Sequence, residues 1–166
     1  MLRRLHLLRH AKSSWDDPTL DDHARPLAPR GVKAGRRLEA WLRESPVRPE
    51  LVLCSSAVRA QATLELVRSA LGAPRVLSED GLYHAAAGEL LEHVCVLPHP
   101  VTEVMLIGHN PGLEDLLRLL AAAPGDEAPR LPTGALATLE SEVGSWEELE
   151  PGTAALTRLV LPRRLR

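Results

Sequence analysis

The segment Leu5-His6-Leu7-Leu8-Arg9-His10-Ala11-Lys12-Ser13-Ser14 joins a short apolar run to an adjacent arginine and histidine. Its leucines predict a buried strand, so Arg9 and His10 lie where that strand ends. A guanidinium group is permanently cationic, and a neutral imidazole is a nucleophile near pH 7. The pair therefore suits an oxyanion such as phosphate, although alone it also fits an ordinary strand end that turns polar.

The composition of the 166-residue chain is that of a soluble globular protein, with 45% hydrophobic and 25% charged residues. Its length predicts a single domain, 1–166, that needs no disulfide or metal for stability. The chain has no Phe, one Tyr and three Trp, which argues against modules that stack nucleic-acid bases. A formal net charge of -2 gives no overall attraction to nucleic acid or to anionic membranes. Anion binding would have to come from local clusters of cations.

The N-terminus begins like a signal peptide, but Arg9 and His10 interrupt its apolar run after a few residues. No window approaches the roughly 20 apolar residues of a membrane span. Cys54 and Cys95 are too few for a disulfide framework and lack metal-ligand spacing, so reduced thiols are expected. We therefore expect a cytoplasmic protein that uses no metal and no cofactor.

Predicted strands and helices alternate along the rest of the chain. Helices are predicted at about 30–44, 57–71, 88–97 and 111–120, and further strands at 51–54, 75–77, 103–107, 135–139 and 154–161. Ser55 and Ser56 are expected to cap the second helix, and Asn110 the fourth. Loops are predicted at 13–28, where the chain could cover the end of the first strand, at 79–84, at 121–132, and at 140–150 as a solvated hairpin loop, with a frayed tail at 163–166. This alternation predicts an α/β fold, a three-layer α/β/α sandwich with a mostly parallel central sheet.

Polar residues follow three of these strands, at the carboxyl edge where ligands of parallel sheets collect. Arg9 and Arg59 would hold the oxygens of a phosphoryl group, with Asn110 beside them. His10 would attack phosphorus in line and form a phosphohistidine that water hydrolyses. The two arginines should lower the pKa of His10 by charge repulsion, while His109 would be protonated and donate to the phosphoryl oxygens.

At these residues the chain resembles the histidine phosphatase superfamily, with its phosphoglycerate-mutase-like fold, and within it the SixA-type phosphohistidine phosphatase branch. The resembling segments follow the family's order along nearly the whole chain: 8–13, 25–31, 55–63, 82–85, 108–114 and 132–135. The resemblance implies that His10 accepts the phosphoryl group and that Arg9 and Arg59 bind phosphate. It also implies that His109 is the second histidine of the pocket, with Arg25 a further cation at its mouth.

The chain departs from the family pattern at three positions. The usual Arg-His-Gly is Arg-His-Ala here, so Ala11 places a methyl group where the backbone turns. Mutases and many phosphomonoesterases carry a glutamate proton donor where this chain has His84, and acid-phosphatase relatives carry an aspartate where it has Asn110. A strong acid for an alkoxide leaving group is therefore missing, which fits an N-P bond better than a sugar phosphate ester. His84 either donates a proton or only shapes the pocket.

Other functions remain open at this point. A cysteine phosphatase is disfavoured because four residues, not the required five, separate Cys54 from Arg59. A phosphatase of a small phosphomonoester and a non-catalytic phosphate-binding module are the remaining alternatives. The expected partner is a phosphorylated protein carrying phosphohistidine or a small phosphorylated metabolite, with neither nucleic acid nor a membrane involved.

Overall fold

The structure, a computed structural model, describes residues 1–121 and 129–166. Within these ranges the strands are β1 (Leu2–Arg9), β2 (Leu51–Ser55), β3 (Arg75–Glu79), β4 (Glu103–Gly108), β5 (Leu136–Glu142) and β6 (Ala155–Val160). They form one sheet in the order β3-β2-β4-β1-β5-β6. The first four strands are parallel, and β5 and β6 pair antiparallel with their neighbours. The predicted α/β class with a mostly parallel sheet is confirmed.

Helices cover both faces of the sheet: α1 (Pro29–Glu44), α2 (Val58–Val67), α3 (Ala87–Cys95) and α4 (Gly112–Leu120). Alternate residues of each strand point to opposite faces, so in β2 Val52 joins a core with α1 and α2, whereas Leu53 joins one with α3 and α4. Burial on both faces explains why the central strands β2 and β4 are nearly continuous apolar runs. None of the helices in the described ranges is long and apolar enough to cross a membrane.

The strand register brings three polar residues to one edge of the sheet. Arg9 of β1 pairs with Gly108 of β4, so the next residues, His10 and His109, are neighbours. The backbone N–H of His10 extends the ladder by donating to the Gly108 carbonyl at 3.0 Å. Cys54 of β2 pairs with Ile107, which places Ser55 beside the same edge.

Two helix starts differ from the prediction. The residue at the N-cap of α2 is Ala57, and Ser55 instead accepts a hydrogen bond from the Ala57 backbone N–H at 3.2 Å. Pro111 occupies the N-cap of α4, and the Asn110 side chain does not cap that helix. The second helix also ends sooner, at Val67, and continues as a 3-10 turn over Arg68–Ala70.

The predicted solvated loop at 140–150 is wrong in two respects. β5 continues to Glu142, and Trp146 begins a 3-10 turn in which its side chain is only 1% exposed. The indole N–H of Trp146 donates to the Val101 carbonyl at 2.6 Å, which satisfies its buried polar atom. The acidic neighbours of Trp146 are exposed, so composition alone suggested a solvated segment.

The prediction of a frayed tail at 163–166 is also wrong. Pro162–Arg164 form a 3-10 turn, and Leu165 packs against the core on the α1 side of the sheet. Of the predicted loop at 121–132, residues 122–128 lie outside the described ranges.

Candidate active site

His10 lies directly after β1 with its side chain almost fully buried. Its Nδ1 is 2.7 Å from the Ala11 carbonyl oxygen, which can only accept, so Nδ1 carries the proton. The lone pair of the neutral ring is therefore on Nε2, which forms no hydrogen bond with any described residue. This tautomer leaves a nucleophilic nitrogen available.

His109 directly follows β4, and its ring centroid is 5.1 Å from that of His10. Nε2 of His109 forms a hydrogen bond of 2.7 Å with the Ser55 hydroxyl, which fixes the ring orientation. Its Nδ1 is buried and has no hydrogen-bond partner among the described residues. The two histidines predicted from distant segments are thus brought together.

Burial disfavours the protonated form of both rings. It lowers the pKa of His10 to about 4, with smaller contributions in the same direction from Arg59, Arg9 and Arg25. The predicted direction is therefore confirmed, although desolvation rather than arginine repulsion is the main cause. Burial, followed by the charges of His10 and Arg59, lowers the pKa of His109 to about 3. The expectation that His109 is protonated when it donates to phosphoryl oxygens stays a prediction.

Arg59 and Arg25 meet at Asp22, in a 3-10 turn (Asp22–Ala24) of the segment after β1. The two oxygens of the Asp22 carboxylate accept from Arg25 at 2.8 Å and from Arg59 at 2.9 Å. The Tyr83 hydroxyl also donates to Asp22 and, with the two arginines, holds the pKa of that carboxyl well below its usual range. Both guanidinium groups are buried, and their charges act on His10. The turn therefore fixes two of the predicted cations at the site.

Arg9 belongs to a separate hydrogen-bond network around Leu131. Its guanidinium donates to the Leu131 carbonyl at 3.2 Å, and the Asn110 amide nitrogen donates to the same oxygen at 2.9 Å. Glu114 accepts hydrogen bonds from the Leu131 backbone N–H at 2.8 Å and from Asn110 at 3.2 Å. The amide nitrogen of Asn110 is thus already engaged, and phosphate binding by this residue stays a prediction.

His84 lies at the surface with its ring 3.9 Å from that of Tyr83, centroid to centroid. The Tyr83 ring in turn makes an edge contact with His109 at 5.5 Å. His84 is therefore separated from His109 by one ring, on the exposed side of the site. A β-carbon on Gly112 would lie 2.2 Å from the Ala85 carbonyl oxygen, so only glycine lets α4 begin this close to the loop that carries His84.

Several residues of this site were missed in the sequence reasoning. The sequence pattern predicts no role for Asp22 or Tyr83. It also predicts neither the hydrogen bond between Ser55 and His109 nor the one from Leu131 to Glu114. The signal for Asp22 was its spacing of three residues from Arg25, which suits an ion pair within one turn. The other contacts join segments far apart in the chain and leave no local pattern.

Cys54 is completely buried in the core between the sheet and α1 and α2. Desolvation raises the pKa of its thiol to about 12, so the thiolate required for nucleophilic attack is not formed near neutrality. The cysteine-phosphatase alternative therefore does not agree with the structure.

A neutral imidazole with an available lone pair, a second imidazole and three guanidinium groups surround one edge of an α/β sheet. Such an arrangement can bind a tetrahedral oxyanion and offer it a nucleophilic nitrogen, which defines the class of histidine-dependent phosphoryl-transfer proteins. The sequence profile of the histidine phosphatase superfamily (branch 1) matches residues 5–93. The chain belongs to this family.

Known proteins place the chain near one branch of the family. An uncharacterised protein of Mycobacterium tuberculosis is 37% identical over 163 residues, covering 94% of this chain and all of that protein. The phosphohistidine phosphatase SixA of Escherichia coli is 30% identical over 145 residues, covering 82% of this chain and 84% of SixA. A solved structure from Nakamurella multipartitia that bears the name SixA is 29% identical, with a TM-score of 0.85 and coverage of 98% of this chain and 97% of that one.

Proposed function

We propose that the protein is a phosphatase that hydrolyses phosphohistidine on a protein, through a covalent phosphohistidine intermediate on His10. The observation that carries the proposal is the pairing of the two histidines, with ring centroids 5.1 Å apart and with Nε2 of His10 open to a ligand. Membership of the histidine phosphatase superfamily and the similarity to SixA support the phosphatase activity.

In the proposed reaction Nε2 of His10 forms a bond to phosphorus while the N-P bond of the substrate breaks. The departing imidazole nitrogen takes up a proton, for which His84 at the open side of the site is our candidate donor. Water then attacks the phosphohistidine, which releases inorganic phosphate and regenerates neutral His10. Arg9, Arg25 and Arg59 would stabilise the charge that spreads over the phosphoryl oxygens in both steps.

His109 would change its protonation state when substrate binds. Its pKa is low in the ligand-free site, but a phosphoryl anion beside it favours the imidazolium. A protonated His109 would then donate a hydrogen bond to a phosphoryl oxygen. The negative charge of the substrate would thus favour the imidazolium form of His109, which burial disfavours.

The two carboxylates near the site are poorly placed to donate a proton, which favours a substrate with an N-P bond. Asp22 is ionised and bound to two arginines and Tyr83, so it cannot serve as a general acid near neutral pH. Glu114 accepts hydrogen bonds from Leu131 and Asn110 and is occupied by that role. An imidazole leaving group is basic enough to take a proton from a weak donor, whereas an alkoxide demands a stronger acid.

The test is trapping of radiolabelled phosphate from a phosphohistidine peptide by an alkaline SDS quench, because phosphohistidine is stable in alkali and labile in acid. The protein is then separated from the peptide and its label is counted. We expect label on the wild-type protein and on the matched variant His6→Asn, and none on His10→Asn. Label retained by His10→Asn would overturn the proposed nucleophile, and no label or turnover with any substrate would favour a phosphate-binding module.

The same preparations decide the substrate class. We expect the wild type to hydrolyse the phosphohistidine peptide with a higher kcat/KM than simple phosphomonoesters, and far better turnover of the esters would contradict the proposal. Because guanidinium groups would hold the phosphate, we also expect EDTA to leave turnover unchanged.

A further inference from the structure

A basic cleft adjoins the candidate active site on the side of the sheet that carries α1. Its rim consists of three exposed cations from separate segments, Lys12, Arg30 and Arg163. Its floor and walls come from Ala34, Pro132, Thr133 and Pro162. The cleft has a volume of about 340 Å³, and none of the described residues that line it carries a carboxylate. In a chain with a formal net charge of -2, this is a local concentration of positive charge.

The backbone ties this cleft to His10. The Ala28 N–H donates to the Lys12 carbonyl at 2.8 Å, which holds the start of α1 against the segment that leaves β1. The Gly134 N–H donates to the His10 carbonyl at 3.0 Å, so the wall formed by Pro132 and Thr133 directly precedes a residue bound to His10. A β-carbon on Gly31 would lie 2.1 Å from the Lys12 carbonyl oxygen, which shows how closely these segments approach.

A second cleft continues the surface toward the phosphate site. It shares Pro132 and Arg163 with the first cleft and reaches Arg9, with the half-buried Leu159 and Leu161 in its lining. Glu114 also lines it, but its carboxylate already accepts hydrogen bonds from Leu131 and Asn110. Within residues 1–121 and 129–166, none of the three rim cations forms an ion pair with a carboxylate. The cations are therefore available to a partner, next to an apolar strip.

We propose that this surface docks an acidic segment of the protein substrate beside its phosphorylated histidine. The inference rests on the proposed function and extends it, because it assigns the recognition of the substrate to Lys12, Arg30 and Arg163. Carboxylates of the partner would pair with the rim cations while its aliphatic side chains cover the apolar strip. Complementary charge at an interface rim acts mainly on the rate of association and weakens as salt screens it.

The first arm of the test compares two phosphohistidine peptides, one flanked by Asp and Glu and one by Asn and Gln. We expect the wild type to show a KM roughly ten times lower for the acidic peptide at low salt, with a smaller preference at high salt. The triple variant Lys12→Glu, Arg30→Glu, Arg163→Glu should lose the preference yet hydrolyse free phosphoramidate like the wild type. The matched control Arg36→Glu, Arg75→Glu, which reverses exposed arginines outside both clefts, should keep it.

The second arm measures binding without catalysis, by fluorescence anisotropy of a labelled acidic peptide that carries no phosphate. We expect binding to the wild type and weaker binding to both the Glu triple variant and a milder Lys12→Gln, Arg30→Gln, Arg163→Gln variant. Equal binding by these variants would overturn docking, as would equal competition by single-stranded RNA, since that describes a surface for any polyanion. If peptide binding follows the rim charges but no N-P substrate is hydrolysed, docking stands and the proposed function fails.

Discussion

His6 and His10 lie four residues apart in the chain, and both are almost fully buried, at 1% and 7% exposure. Both ring nitrogens of His6 are bound, Nδ1 to the Thr138 hydroxyl at 2.8 Å and Nε2 to the Glu103 carboxylate at 2.9 Å. His10 uses only Nδ1, toward a backbone carbonyl. The two residues therefore differ in their hydrogen-bond partners rather than in their burial. Only the partners of His10 fix its tautomer and leave one ring nitrogen open.

The largest expected effect comes from replacing His10, with the replacement of His6 as the control. We expect His10→Asn to lower kcat by a factor on the order of 10⁴ or more, because it removes the nucleophile. His6→Asn should keep the turnover of the folded protein, since His6 touches no residue of the site. Steady-state kinetics on both variants checks this, and comparable losses in the two would remove the distinction between them.

A smaller loss of activity is expected when an arginine close to His10 is replaced. Arg59→Ala should lower kcat/KM by roughly 10³, because a guanidinium group that stabilises a phosphoryl transition state contributes at least this much. Arg75→Ala, at an exposed arginine of β3, is the matched control and should change little. A loss below tenfold in Arg59→Ala would mean that Arg9 and Arg25 suffice to hold the phosphoryl group.

The pH dependence should also reflect the environment of His10. Because its pKa is lowered to about 4, Nε2 stays unprotonated well below neutrality, and the acid limb of kcat/KM should lie near pH 4 rather than near pH 6.5. An acid limb near pH 6.5 would contradict the buried, neutral imidazole.

Stability should follow the same ionisations. Above pH 6.5 His10 and His109 are neutral whether folded or unfolded, so they impose no penalty there. Between pH 6.5 and about 4 these histidines bind protons in the unfolded chain but not in the folded protein. The free energy of unfolding therefore decreases as the pH falls, by roughly 3 kcal/mol for His10 alone. Thermal unfolding at several pH values should show a weaker decline for His10→Asn than for the wild type.

The smallest effect concerns His6 and is one of stability. His6→Leu should lower the free energy of unfolding by roughly 2 kcal/mol, because it leaves the buried Thr138 hydroxyl unpaired and removes one partner of Glu103. Urea unfolding measures the loss, and kinetics at low temperature should show turnover close to that of the wild type. A large loss of turnover without a loss of stability would assign His6 a part in the reaction.

Much of the site could be predicted because its residues directly follow recognisable strands. His10 and His109 come directly after β1 and β4, and parallel strands end at one edge of a sheet whatever their separation in the chain. The protonation behaviour of the two histidines was harder to predict from the sequence than their position. Both lowered histidine pKa values arise mainly from burial, which depends on the packing of all the surrounding segments.

The sequence by itself predicted the alternation of strands and helices along the chain, and it indicated the carboxyl edge of the sheet, with His10 and His109, as the candidate site. These are properties of local patterns, because hydrophobic period and strand ends are encoded within a few residues. Only the tertiary structure decided that Asp22 joins Arg25 and Arg59, that Trp146 is buried, and that burial lowers the pKa of His109. Those features depend on contacts between distant segments, where desolvation and hydrogen-bond geometry, rather than residue type, set the energy.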